Sequence, residues 1–152
     1  MKKFRFQLET LLKLRRSDRD RCRQALADVL RQDDDVSAQR AWTEAERRKQ
    51  IDELRVLGSG GAEVNVDASA ARRHYAVQLS GRLGELDVRR AALSREIDQR
   101  RHALVRADQL VRTLENLAER REAEFILSQE RLEGRELEQA WQAIRATETS
   151  RC

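Results

Sequence analysis

The sequence predicts an all-α fold: a long antiparallel two-helix coiled-coil hairpin with a longer second helix. Three observations carry that prediction. From residue 79 to residue 132, apolar side chains recur at alternating spacings of four and three. One row reads Leu83, Arg90, Ile97, Leu104, Val111, Ala118, Phe125, Leu132, and the row four residues behind it reads Leu79, Leu86, Leu93, Arg100, Ala107, Leu114, Arg121, Ser128. A straight helix repeats every 3.6 residues or so, and a seven-residue repeat held this long marks a left-handed seam that one helix cannot bury by itself. The composition agrees: 152 residues without proline, 4% aromatic and 38% charged, rich in Ala, Leu, Glu, Arg and Gln. Such a chain can run long helices without interruption but is poor material for a deep globular core. Finally, Gly58-Ser59-Gly60-Gly61 is the one strong helix breaker, so the chain folds back once.

The opening places Phe4, Leu8, Leu11 and Leu12 at helical spacing, with Arg5, Lys13 and Arg15 around them. This pattern suits a partner-binding helix, a membrane-surface helix, or the end of a coiled coil packing on its own second strand. From residue 16 to 57 the pattern is helical but ragged. Cys22, Leu26, Val29, Leu30, Val36, Ala41, Trp42, Ala45, Ile51, Leu54 and Leu57 supply the expected apolar contacts, and Asp33-Asp34-Asp35 interrupts them. After the turn, Asn65 or Asp67 can cap a new helix. The expectation is a single coiled-coil domain over residues 1–152, with helix 1 at about 6–57, the turn at 58–67 and helix 2 at about 68–146. The helices would be roughly 75 and 120 Å long at about 1.5 Å per residue.

A turn centred near residue 62 pairs positions whose numbers sum to about 124. Asp33, Asp34 and Asp35 then lie opposite Arg89 and Arg90, and Arg90 is the one charge in the better seam row, so the pairing predicts a register-setting contact. Leu8 falls near residue 116, leaving helix 2 to overhang from about residue 118 to 146. That overhang carries Phe125, Leu132, Leu137, Trp141 and Ile144, a contact surface for a partner or for a second copy of the chain.

Charge is distributed unevenly along a chain of net charge +4. Residues 2–23 hold nine Lys/Arg against three acids, whereas residues 115–138 hold eight Glu against four Arg. An antiparallel hairpin brings these stretches together. Two cysteines, Cys22 and Cys152, make no disulfide framework, no apolar run resembles a secretion signal or a membrane span, and a reduced, cytoplasmic setting is expected.

Catalytic chemistry is not in view. The glycine cluster lacks the Lys and Ser/Thr of a phosphate loop, and His74 and His102 stand 28 residues apart without metal-ligand spacing. No cofactor or metal is expected, and on paired helices the carboxylates have no cleft to tune them, so the chain is not expected to be an enzyme. Nucleic-acid binding by the basic start is a rival reading, opposed by the interspersed glutamates and the lack of aromatic platforms. A generic coiled-coil scaffold is another.

Three stretches resemble the flagellar type III export protein FliJ family and its injectisome relatives. They are Phe4-x-Phe6-x-Leu8-x-x-Leu11-Leu12-x-Leu14-Arg15; Tyr75-x-x-x-Leu79-x-x-x-Leu83 leading into Ile97-x-Gln99; and Leu114-Glu115-x-Leu117-x-x-Arg120-Arg121-x-x-Glu124 followed by Glu136-Leu137-Glu138. The resemblance implies a non-enzymatic coiled-coil stalk, similar to the gamma subunit of rotary ATP synthases, serving protein transport in flagellum biogenesis, motility and chemotaxis. It implies three partners, namely an export ATPase (FliI-like), an export gate protein (FlhA-like) and export chaperones, with peripheral association on the cytoplasmic face of the inner membrane. By the same resemblance Phe4, Phe6, Leu8, Leu11, Leu12, Arg15, Phe125, Leu132 and Trp141 would face the ATPase ring. Tyr75 and Leu79 would face the gate. An injectisome stalk and a homodimer are the neighbouring alternatives.

Overall fold

A computed structural model describes residues 3–60 and 65–149, with side chains described as far as residue 146. Two helices take up nearly all of them: α1 (Glu9–Ser59, 51 residues) and α2 (Val66–Thr149, 84 residues). They pack against each other as a hairpin, with no strand among the described residues. Residues 61–64, at the centre of the expected turn, and Cys152 lie outside the described residues.

Local chemistry accounts for the helix ends. The Leu12 amide donates to the Leu8 carbonyl at 2.9 Å and the Glu9 amide to the Phe6 carbonyl at 3.2 Å, so α1 starts three residues after the expected position 6. Glu9 sits in the first turn, where a negative charge suits the helix dipole, and pairs with Lys13 at 3.1 Å. Of the two proposed caps it is Asn65 that begins α2: its Oδ1 accepts the Ala68 amide at 3.1 Å and its carbonyl accepts the Ser69 amide at 3.1 Å. Asp67 instead contributes its charge to the first turn. The Asp33-Asp34-Asp35 run does not interrupt α1, because successive side chains leave the helix about 100° apart. Asp34 and Asp35 reach solvent, while Asp33 turns toward α2.

The chain divides into two compact units. The first to describe is Asp20–Val105. Its helices are antiparallel, since ion pairs join Glu53 to Arg72, Arg40 to Asp87 and Asp33 to Arg90. The Asp33–Arg90 contact expected from the register is present at 3.6 Å. Val29, Val36, Leu86, Leu93 and Ile97 form the core, with Leu26 packed against it. Complete burial of such side chains is worth about 1.5–3 kcal/mol each, and Val36 is only 1% exposed.

On α1 the side turned to α2 follows an unbroken three–four spacing through Cys22, Leu26, Val29, Asp33, Val36, Arg40, Thr43, Arg47, Gln50 and Leu54, all buried or half-buried. Several contacts expected from the sequence are therefore displaced: Leu30, Ala41, Trp42, Ala45 and Leu57 are exposed, Trp42 by 59%. The reason is register. Trp42 is one residue, or about 100°, away from the fully buried Thr43, and Leu30, Ala41, Ala45 and Leu57 likewise fall off the seam positions that Leu26, Val29, Val36 and Leu54 occupy.

The second unit comprises Met1–Arg19 with Arg106–Cys152. Here Leu12 and Val111 are buried. The Arg16 Nε and Nη2 both donate to Oε1 of Glu115, at 3.1 and 2.7 Å, a direct contact between the basic start and the acidic later stretch. Residues 3–8 are not helical. A non-helical chain advances up to about 3.3 Å per residue against about 1.5 Å in a helix, so these residues reach further along α2 than the expected helix would. Phe4 consequently meets Phe125 rather than a residue near 120.

Candidate functional site

The expected contact residues of the second unit fall into two groups. Phe4, Phe6, Leu8 and Phe125 line a notch of about 510 Å³ on the side of α2, together with Leu117 and Arg121. The Phe4 and Phe125 rings lie 5.7 Å apart and are inclined by 47°, an aromatic contact within the range of favourable ring–ring distances. Leu8 remains exposed at the rim, Leu11 is half-buried and Leu12 is a core residue of the seam. Arg15 is half-buried and pairs with Asp18 at 3.6 Å. Phe125 thus belongs to the packed part of α2 rather than to an overhang, because the residues before α1 cover it.

Half-burial on α2 ends at Gln129, and every side chain from 130 to 146 is exposed. The free length begins near residue 130 instead of the expected 118. Leu132 continues the line of Phe125, seven residues on, and is exposed because α1 supplies nothing opposite it. A second exposed stripe comprises Leu127, Leu137, Trp141 and Ile144, with Gly134 in line. Leu127 is two residues, or about 200°, from Phe125, so this stripe lies on a different side of the helix from the seam. A helix in water with no packed face is marginal at this length. Its apolar stripe is large for a surface that nothing covers, with Trp141 64% exposed. Ile126 and Leu127 were not expected among the exposed apolar residues. The signal for them was available, since neither belongs to the seven-residue rows.

In the unit of Asp20–Val105 the two other expected contact residues part company. Tyr75 is exposed, whereas Leu79 is 4% exposed and sits in the seam. The α1 side of the seam in this unit is unusual, because Arg40, Thr43, Arg47 and Gln50 occupy four consecutive seam positions before Leu54. The Thr43 hydroxyl donates to the Gln39 carbonyl of its own helix at 2.8 Å. Arg47 donates from Nη2 to Glu44 at 3.3 Å, but its Nε is buried without a hydrogen-bond partner. A buried donor left unpaired costs about 1–3 kcal/mol.

Electrostatics reinforce the rims of this stretch. Arg40 Nε donates to Asp87 at 2.5 Å, which holds the Asp87 carboxyl below its ordinary range and raises the guanidinium in turn. Hydrogen bonds from Arg47 and Arg48 lower Glu44 likewise. These are solvent-screened contacts of modest worth. Among the described residues no cluster of His, Cys, Asp and Glu could hold a metal ion, and no helix is long and apolar enough to cross a membrane. The arrangement presents apolar and charged faces for helix-on-helix contact.

The family model described as "Flagellar FliJ protein" matches residues 4–145. No curated protein and no solved structure matches the chain.

Proposed function

Because the chain belongs to the flagellar FliJ family, a non-enzymatic family of flagellar protein export, we propose that it acts as the central stalk of the export apparatus. In this reading it couples an export ATPase ring (FliI-like) to an export gate protein (FlhA-like) and engages export chaperones. It works at the cytoplasmic face of the inner membrane, held there by the apparatus. The observation that carries the reading is the last part of α2: residues 130–146 are exposed on every side, and they present Leu137 and Trp141 beyond the point where α1 has ended. A stripe of this kind is suited to a surrounding or adjoining protein surface. The Phe4–Phe125 notch lies in the same unit and supplies a second contact for that ring. Tyr75 supplies an exposed aromatic for the gate.

The test is co-purification of the tagged chain from its native cells, with the captured proteins identified. The stalk reading expects an export ATPase and a gate component. Trp141→Ala and the pair Phe4→Ala/Leu8→Ala should each lose the ATPase, and Tyr75→Ala the gate, all with helicity retained by circular dichroism. Recovery of only the chain itself would assign the stripe to a homodimer and overturn the proposal.

A further inference from the structure

Within the unit of Asp20–Val105 the two helices meet along a continuous seam, yet the seam changes character at Val36. Up to that point both helices contribute apolar side chains, and the core of Val29, Val36, Leu86, Leu93 and Ile97 results. Beyond it α2 still contributes Leu83 and Leu79, buried to 8% and 4% exposure, while α1 answers with Arg40, Thr43, Arg47 and Gln50. Four consecutive seam positions of α1 are polar here, and one buried N–H, on Arg47, finds no acceptor. Closing this stretch withdraws Leu79 and Leu83 from water and forms the exposed Arg40–Asp87 and Glu53–Arg72 pairs, but α1 adds only half-buried Ile51 and Leu54 as apolar partners and a donor is stranded. Opening it returns that donor to water. Segments with few apolar contacts and costly polar burial open at lower free energy than the core beside them.

We propose that residues 40–57 and 69–83 form an arm of the hairpin that separates while the Val29–Ile97 core stays closed, and that this opening uncovers Leu79 and Leu83. In the closed arm Leu79 is inaccessible to any partner, so its use as a contact is gated by the arm. The inference deepens the gate-contact reading above, but the opening rests on the seam alone and does not need that reading.

Hydrogen–deuterium exchange of the full chain, read by mass spectrometry, tests it. The arm peptides are expected to exchange at least tenfold faster than peptides covering residues 86–97. Arg47→Leu, which pairs an apolar side chain with Leu79 and Leu83, should slow the arm at least tenfold and leave 86–97 unchanged. Thr43→Val should act in the same direction and serves as the second variant if Arg47→Leu alters folding. Equal protection across residues 29–97, or an arm that neither variant slows, would overturn the proposal. If the arm behaves as expected while Tyr75→Ala still captures the gate, the opening stands and the gate assignment falls.

Discussion

Two stretches of one seam, a few turns apart in the same unit, are built on opposite terms. Around Val36 the apolar side chains of α1 and α2 meet each other; around Thr43 the seam positions of α1 are arginine, threonine and glutamine while α2 still contributes buried leucines. Backbone geometry and the three–four spacing are the same in both. The contrast teaches that spacing alone brings helices together, whereas composition at the facing positions decides how tightly each turn is held.

Several measurements would break or sharpen that contrast. The largest effect belongs to the apolar stretch: Ile97→Ala should lower unfolding free energy by about 2–5 kcal/mol in a denaturant titration. Leu83→Ala should fall at or under the lower end of that range, and equal losses would erase the difference between the stretches. Next, Arg47→Leu should stabilise the chain by about 1–3 kcal/mol, by removing an unpaired buried donor. Gly81→Ala and Gly84→Ala come third. A Cβ at either position meets open space, so each should add about 0.5–1 kcal/mol through helix propensity, seen as a higher Tm. Arg90→Leu should then shift stability by no more than about 1 kcal/mol, because its 3.6 Å contact with Asp33 is half-exposed. A larger change, or altered pairing by cross-linking across the seam, would make that contact the determinant of register.

The smallest effect is on acidification. Asp87 and Glu44 are held below their ordinary pKa by Arg40 and by Arg47 with Arg48. Their contribution is present above the unfolded carboxylate range and disappears as pH falls below about 4, through the lowered folded values. The groups flank the polar stretch, so amide exchange there should rise first on acidification. Asp87→Asn should blunt part of that rise.

How much was legible in the sequence differed between the two helices for a physical reason. In α2 the seam rows from Leu79 to Phe125 could be read directly, because the buried residues in them are apolar and Arg90 meets α1 through Asp33 at the rim. In α1 Cys22, Leu26, Val29, Val36, Ile51 and Leu54 are covered as hydrophobicity indicated, but the seam also runs through Arg40, Thr43, Arg47 and Gln50, while Trp42, Ala45 and Leu57 turn outward. The candidate contact residues divided in the same way. Trp141 and Leu132 could be recognised as exposed from the pattern, since α1 is too short to cover them. The burial of Leu79 beside an exposed Tyr75 depended on what α1 placed opposite.

The sequence by itself determined that the chain is helical and folds back once, that Asn65 can begin the second helix, and that Asp33 lies near Arg90. These follow from local propensity, glycine breakers and the seven-residue period, all of which act over a few turns. Only the tertiary structure decided which face of α1 meets α2, that Phe4 crosses to Phe125, and that four consecutive seam positions of α1 are polar. Those outcomes depend on the register between helices distant in sequence, where the stronger apolar stripe of α2 sets the alignment and α1 accepts whatever residues then fall in the seam.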